Sequence, residues 1–577
     1  MKTQNKLLAS ILLTAGIISS PIISYAADSK ELEDLRAQIE ELKQSIKVID
    51  RKGELAEEAA AAKKKETPVV KASEKGFGIQ SADGQHEIKL RGLLQADVRS
   101  FDEGKNITQK GAPGASNAGY VDNSEKANDT ALLRRVRPTI EGTVYGKYDF
   151  RFTPEFGDGK AQVIDSYLDA RLDPAFKIRA GKYKPFVGLE RLQSGADIKF
   201  IERSYVSSIL PNRDVGVSVY GDLFGDKLSY AFGIHNGVPD GGDNTTANDI
   251  NSDKDYAARI FASPFKDSQN ALSGLSFGIA GTYGDVTGKT RDNVAASNTE
   301  LTTGYRTEGQ QLFFQYIGAP VLRSGYDVAS GSFDKAFDKS SALGGFDING
   351  QPTTNLASDT SKGPGADWLV HADGNRYRIS PQASYYFGSF GFQGEYVLDS
   401  NEVSIGSQNL KKVRLNNEAW QVAASWLLTG EDASFKGVKP KNNFDLNAGK
   451  WGAWELTARY SELNIDDKAF TWGSTGGTAN SYSDPKATNY ATNHWLYADP
   501  NASARSAHTW TIGTNWYLNP EVKFALNYAR TSFKGGGGAL SGTPGYTYSE
   551  LLNGGSSWSA KDREDESVLL ARFQIAY

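Results

Sequence analysis

Basic side chains at alternate positions are the groups in this sequence with the clearest chemical use. Arg135 and Arg137 are two residues apart, and so are Lys177 and Arg179. Because successive side chains of a β-strand point to opposite faces, the two members of each pair share a face. Cationic groups along a narrow, water-filled passage attract anions and repel cations, and arginine holds phosphate oxygens through paired hydrogen bonds. The pattern predicts a path for small anions, and Arg151 on another alternating segment belongs to it.

Carboxylates on the same polar faces give these arginines a second potential role. Asp149 and Glu155 flank Arg151, and Asp165 and Asp169 occupy the next alternating segment. Charged groups inside a wall of strands can pair simply to brace it, because a buried charge needs a partner. For any single arginine, bracing and solute transport therefore remain alternatives.

Several other kinds of chemistry lack the residues that they need. The chain has no cysteine, which excludes disulfides, thiolate metal sites and cysteine nucleophiles. Its five histidines include no pair at i, i+3 or i+4, and the glycine run 535–538 lacks the Lys-Ser/Thr of a phosphate-binding loop. A net charge of -5 argues against a general nucleic-acid-binding protein. We predict neither an enzyme nor a bound cofactor or metal.

Alternation of apolar and polar residues begins near residue 86 and recurs in sixteen segments. Many segments have the ~9–12 residues that cross a bilayer at a tilt, and short and long connections alternate between them. The predicted strands are residues 86–101, 130–145, 148–156, 162–173, 176–184, 214–221, 228–236, 255–265, 275–285, 376–387, 390–400, 420–428, 453–463, 505–517, 524–528 and 564–577. The fold class is therefore all-β, with a 16-stranded antiparallel transmembrane β-barrel over residues 76–577.

A soluble β-sandwich would alternate as well, so the aromatic residues decide between the two folds. Trp420, Trp426, Trp510 and Tyr528 all fall on apolar faces, and the last strand ends in Tyr577. Aromatic girdles at both membrane interfaces explain this placement, which favours the barrel. One further strand-like segment, 310–317, would make seventeen strands, whereas a bacterial single-chain barrel has an even number. We expect it to lie within the long connection 286–375.

The N-terminus carries an export signal. Lys2 and Lys6 precede an apolar stretch over 7–23, and Ser24 and Ala26 form a small-residue cleavage site. These features predict a secretory signal peptide over residues 1–26. A membrane anchor is the alternative, but the stretch is short for one and is interrupted by Pro21.

A heptad repeat follows the signal sequence. Its apolar residues have spacings of three and four and are Leu32, Leu35, Ile39, Leu42, Ile46 and Ile49. This is the seam of a coiled coil, predicted over residues 27–52 in the periplasm, with 53–75 as a linker. An amphipathic helix lying on another surface is the alternative.

Several short motifs, in order, resemble the phosphate- and polyphosphate-selective porins (the porin O/P family). They are Ala131–Arg137, Gly181–Tyr183 with Gly188–Glu190, Leu428–Glu431, Gly452–Leu456 with Arg459–Tyr460, and His508–Thr509 with Asn515–Tyr517. The resemblance implies a homotrimer of sixteen-stranded barrels in the outer membrane of a Gram-negative cell. It also implies an inward-folded third loop that narrows each pore, here residues 185–213.

The same resemblance implies roles for individual residues. Arg134 and Arg135 match the family's arginine pair on the second strand, Lys199 falls at its basic constriction position, and Asp165 matches an acidic residue near the narrowing. The constriction loop also carries Arg191 and Arg203.

One segment departs from the family pattern. Phosphate-selective members carry an arginine-dense fifth external loop, whereas 286–375 holds seven basic residues among many acids, glycines and serines. We predict an outer-membrane porin for passive diffusion of small anions such as phosphate or polyphosphate, with outer-membrane lipid around it and no nucleic-acid partner. The alternative is a general, non-selective porin whose long external loops bind a surface partner.

Overall fold

A computed structural model describes residues 29–73, 76–110, 120–159, 161–244, 252–287, 304–316, 370–405, 410–470, 497–498, 503–537 and 562–577. The chain divides into two compact units, residues 1–68 and 69–577. The predicted signal peptide lies outside the described residues.

The first unit contains one helix, α1 (Ser29–Glu66). Alanine, glutamate and lysine dominate its second half, and these strong helix formers carry the helix past residue 52, where the coiled coil is predicted to end. In the single chain the heptad stripe is exposed: Leu35, Leu42 and Ile49 are 60%, 61% and 67% accessible. The helix is present, and its self-association stays a prediction. Among the described residues, no helix combines the length and the apolar character needed to cross a membrane.

The second unit is built from β-strands. In chain order they are β1 (Val69–Ser73), β2 (Gly76–Gln80), β3 (Glu87–Glu103), β4 (Lys105–Lys110), β5 (Tyr120–Lys126), β6 (Thr130–Val144), β7 (Tyr148–Glu155), β8 (Gln162–Asp173), β9 (Phe176–Tyr183), β10 (Asp214–Leu223), β11 (Leu228–His235), β12 (Asp255–Ala262), β13 (Leu275–Thr287), β14 (Tyr305–Arg306), β15 (Leu312–Phe314), β16 (Val370–Phe387), β17 (Phe390–Ile405), β18 (Leu410–Leu427), β19 (Ala453–Asn464), β20 (Ala504–Tyr517), β21 (Val522–Gly535) and β22 (Glu566–Ala576). Short helices α2 (Leu189–Leu192) and α3 (Tyr205–Ser208) lie between β9 and β10.

Sixteen of these strands form a closed antiparallel barrel: β3, β6–β13 and β16–β22. The last strand pairs with the first, with Phe573 opposite Ala96 and Ile575 opposite Leu94, so the barrel has no open edge. All sixteen predicted strands are confirmed. β18 begins at Leu410, ten residues before the prediction, because its first half is mostly polar and does not show the alternation that lipid imposes on the second half.

The barrel wall is apolar outside and polar inside. On β20, Trp510 and Ile512 are 63% and 61% exposed on the outer face, whereas Thr509 and Thr511, which alternate with them, are fully buried. This distribution of apolar and polar side chains is the reverse of that in a soluble protein, and it fits a wall surrounded by lipid. Short connections such as 145–147 lie at one end, the turn end, and long connections such as 184–213 lie at the other, the loop end.

Two features lie outside the cylinder of sixteen strands. β1 and β2 form a hairpin, and β2 pairs with the start of β3, with Phe77 opposite Leu90, beside the point where β22 ends. The residues predicted as a linker thus include a strand, β1, which is held by its antiparallel pairing with β2. The segment 310–317 contains β15, which pairs with β14 in a separate two-stranded sheet. This confirms that it is not a barrel strand.

Candidate solute pathway

The constriction loop, residues 185–213, crosses the inside of the barrel. It leaves the wall at β9 and contacts strands on the far side. Lys199 Nζ lies 2.6 Å from Glu455 Oε1 on β19, the Ile201 amide donates to Asn527 on β21 at 2.7 Å, and Tyr205 shares a 2.7 Å hydrogen bond with Thr509 on β20. Because these anchors lie opposite its own strands, the loop reaches across the interior of the barrel.

A β-bulge directs both Arg134 and Arg135 into the barrel interior, toward the constriction loop. Gln95 of β3 faces Arg135 and Ala96 faces Leu133, so Arg134 is an extra residue in β6. A bulge re-aims a side chain that strict alternation would turn outward. Arg134 forms a fork with Glu202 of the constriction loop at 2.7 and 3.1 Å. Arg135 donates to the Gln95 amide oxygen at 2.5 Å.

Most of the other predicted basic residues form ion pairs with carboxylates of the wall, and so does Arg213 at the end of the constriction loop. The pairs are Arg137 with Glu155 (2.5 Å), Arg151 with Glu141 (3.1 Å), Arg179 with Asp169 (2.5 Å), Arg213 with Asp165 (2.9 Å) and Lys199 with Glu455 (2.6 Å). The predicted acidic residue Asp165 therefore holds the end of the constriction loop. The positive charge of each of these residues is neutralised by a neighbouring carboxylate, as we expect if the charged residues serve to brace the wall.

Three cations at the base of the constriction loop are held differently, and we call them the basic cluster: Lys184, Arg191 and Arg203. Arg203 donates to the backbone carbonyls of Gln193 at 2.6 Å and Glu190 at 3.3 Å. Lys184 Nζ donates to the carbonyls of Arg191 at 2.7 Å and Gln193 at 3.1 Å. Among the described residues, none of the three forms an ion pair with a carboxylate, so their positive charge is not cancelled at contact distance.

The basic cluster is crowded with like charge. Burial lowers the pKa of Arg203, and the nearby Arg191 and Arg213 lower it further. Burial and the same arginines, with Arg203, lower the pKa of Lys184. The Nε–H of Arg191 is buried and makes no hydrogen bond to any described residue. Mutual repulsion and an unused donor make this cluster attractive to an anion. The sequence did not indicate Lys184 as a path residue, because alternation within the predicted strand 176–184 places it on the face opposite Lys177 and Arg179.

A second segment fills the lumen beside the constriction loop. We call residues 304–316, which include β14 and β15, the lumen hairpin. Phe313 and Phe314 are fully buried, and Phe313 packs edge-on against Tyr205 of α3 with ring centres 5.6 Å apart. Tyr305 donates to Asp240 at 2.7 Å, at the loop end. The prediction placed this segment in a long connection but not inside the barrel.

Arg459 of β19 joins both inserted segments to the wall. Its guanidinium contacts Glu190 of the constriction loop at 2.9 Å and Glu308 of the lumen hairpin at 2.8 Å. It also lies over the ring of Phe200 at 4.2 Å. The two insertions thus share one buried cation.

Within the described ranges, no group of three or more histidine or acidic residues is arranged to hold a metal ion.

Comparison with known proteins adds sequence and fold relationships. No curated protein sequence matches the chain. Similar solved structures include the outer membrane channel DcaP of Acinetobacter baumannii (10% identity, TM-score 0.41, 87% of this chain and 99% of that chain). Others are OmpT of Vibrio cholerae (9%, 0.42, 85% and 98%) and an anion-selective porin from Comamonas acidovorans (11%, 0.38, 85% and 100%).

The sequence pattern of the family described as phosphate-selective porin O and P matches residues 114–313 and 319–534, which is most of the chain. The matched ranges include the arginine pair of β6, the constriction loop and the first part of the lumen hairpin. A closed barrel of sixteen strands with a polar interior accompanies the match. The chain therefore belongs to the phosphate-selective porin O and P family of outer-membrane porins.

Proposed function

We propose that this porin conducts small anions of phosphate size by passive diffusion. The observation that carries the proposal is the basic cluster, whose three cations are held by carbonyl and amide oxygens and not by carboxylates. A passing anion can exchange part of its hydration shell for their N–H groups. The paired arginines around them, such as Arg137 and Arg213, form further weak sites along the path. Conduction needs several weak sites, because a single tight one would plug the pore.

A salt gradient across a planar bilayer tests this proposal. We expect a reversal potential of anion sign for the purified porin, with phosphate and chloride both permeant. A cation-sign potential would refute anion conduction without affecting the assignment to the porin family.

The general-porin alternative is supported by the ion pairs of the wall. Five basic residues predicted for the path, including Arg134, face carboxylates at 2.5–3.1 Å, which weakens the field that they project into the lumen. Deleting residues 317–369 while keeping the lumen hairpin would separate solute transport from binding of a surface partner. Unchanged transport with loss of surface binding would favour the alternative.

We further propose that the mature chain begins after Ala26 and assembles as a homotrimer through a periplasmic coiled coil of α1. Exposed Leu35, Leu42 and Ile49 support self-association, because a lone helix in water gains nothing from an apolar stripe. Deleting residues 29–66 should lower the trimer fraction in cross-linking and leave single-channel conductance unchanged. A deletion variant whose barrel fails to fold would contradict this division of roles.

The constriction loop also predicts a pH dependence. Burial raises the pKa of Asp197 to about 6, although Lys523 and Arg91 oppose the shift. Asp197 is neutral below that pH and negative above it. Raising the pH from 5 to 7 should therefore lower the anion-to-cation permeability ratio by about twofold, the effect of one charge ~8 Å away in water. Asp197→Asn should show a flat ratio across this range, and an unchanged pH profile in that variant would reject the assignment.

A further inference from the structure

The connection 428–452 between β18 and β19 forms a polar cavity at the turn end of the barrel. The cavity has a volume of about 630 Å³, and Lys441, Asn442, Phe444, Asp445 and Lys450 line it. Both lysines are exposed. The turn end of an outer-membrane barrel lies at the periplasmic leaflet, where lipid phosphates are present.

The two lysines of this cavity are available to an external anion. Lys441 Nζ donates to the carbonyl of Gly430 at 2.5 Å, and neither lysine forms an ion pair with a described residue. The one carboxylate in the lining, Asp445, accepts hydrogen bonds from the backbone amides of Asn447 and Ala448 and closes the turn.

Lysines at other turns of the same end differ in this respect. Lys227 lies 2.9 Å from Asp267, and Lys266 lies 3.3 Å from Asp226. Lys441 and Lys450 differ from these two lysines in forming no ion pair with a described residue.

An apolar groove on the outer wall adjoins the charged cavity. Phe444 packs edge-on against Trp516 with ring centres 5.2 Å apart, and Trp516 stacks on Trp454 and Phe524. Trp454, Trp516, Phe524 and Phe573 line the groove, which has a volume of about 830 Å³. The Phe444–Trp516 contact joins the two spaces. Together they offer positive charge at one end and apolar surface at the other.

We propose that the cavity and groove bind one anionic glycerophospholipid, with its phosphate at Lys441 and Lys450 and its acyl chains along the groove. Ammonium groups near an anionic headgroup favour binding, and tryptophan is well suited to the boundary between headgroups and hydrocarbon. A zwitterionic lipid would fit the groove but gain less from the lysines. Free phosphate would meet the lysines but leave the groove empty. This site lies on the outer wall and does not depend on anion conduction through the lumen.

Native mass spectrometry of the full-length porin in detergent, with added phosphatidylglycerol, tests the proposal. The variant Lys441→Gln/Lys450→Gln should retain about thirtyfold less lipid than the unsubstituted protein, or roughly fivefold per lysine. The matched variant Lys227→Gln/Lys266→Gln removes the same charge from the same end and should retain as much as the unsubstituted protein. Heat-modifiable migration on a gel establishes that each barrel is folded.

Three further binding measurements identify the ligand. Phosphatidylcholine with the same acyl chains should be retained less than phosphatidylglycerol, and inorganic phosphate should not displace the bound lipid. Phe444→Ala should weaken retention while leaving both lysines in place. Equal retention of the two lipids, displacement by inorganic phosphate, or full retention by the Lys441/Lys450 variant would each overturn the proposal.

Discussion

Deleting the lumen hairpin, residues 304–316, should raise the single-channel conductance by about twofold or more. The hairpin lies beside the constriction loop inside the barrel, and conductance through a water-filled passage grows with its open cross-section. Phe313 and Phe314 are fully buried there. Removing them would leave space that water and solutes can enter.

The lumen hairpin is held mainly by packing. A substitution that removes one of its ion pairs should therefore change the conductance less than deletion of the whole hairpin does. Burying an aromatic side chain contributes about 1.5–3 kcal/mol, and Tyr305 and Tyr316 are buried besides the two phenylalanines. Glu308→Gln removes only the ion pair with Arg459, so we expect it to change the conductance little. A control deletion of residues 331–343 shortens the same connection equally and should leave the conductance unchanged. An unaltered conductance after deletion of 304–316, in a folded barrel, would show that the hairpin does not obstruct the passage.

The alternating pattern was sufficient to predict the barrel because lipid imposes it on every crossing strand. It could not show where alternation breaks. Arg134 and Arg135 are consecutive, and strict alternation would place one of them outside. Only the register of β6 against β3 reveals the bulge that brings both inward.

The sequence also did not predict ion pairs between residues that are far apart along the chain. Lys199 was placed at the constriction by resemblance, but its partner Glu455 lies 256 residues further on, on a strand across the barrel. The lumen hairpin does have a signal in the sequence. Phe313 and Phe314 are adjacent apolar residues, so both faces of this short strand need cover, which an exposed loop does not provide. An apolar run in a long connection therefore indicates a segment that folds back into the lumen.

Removing the charge of the basic cluster should have the largest effect on selectivity. The double variant Lys184→Gln/Arg203→Gln should lower the anion-to-cation permeability ratio about tenfold, since each unpaired charge ~6 Å from the path contributes about 0.7 kcal/mol in water. Glutamine keeps an N–H donor for the carbonyls of Arg191 and Gln193, so the loop should hold its place. Reversal potentials in a salt gradient measure the ratio.

A second double variant distinguishes local charge from total charge. Arg151→Gln/Arg171→Gln changes the net charge equally, but these arginines are 34% and 43% exposed and face Glu141 and Asp149. Their contribution is screened by salt and offset by their partners, so the ratio should change by less than about twofold. Equal losses in both variants would mean that overall charge sets the selectivity. A tenfold loss confined to Lys184 and Arg203 would place the selective step at the base of the constriction loop, where these two cations are held by backbone carbonyls and form no ion pair with a described carboxylate.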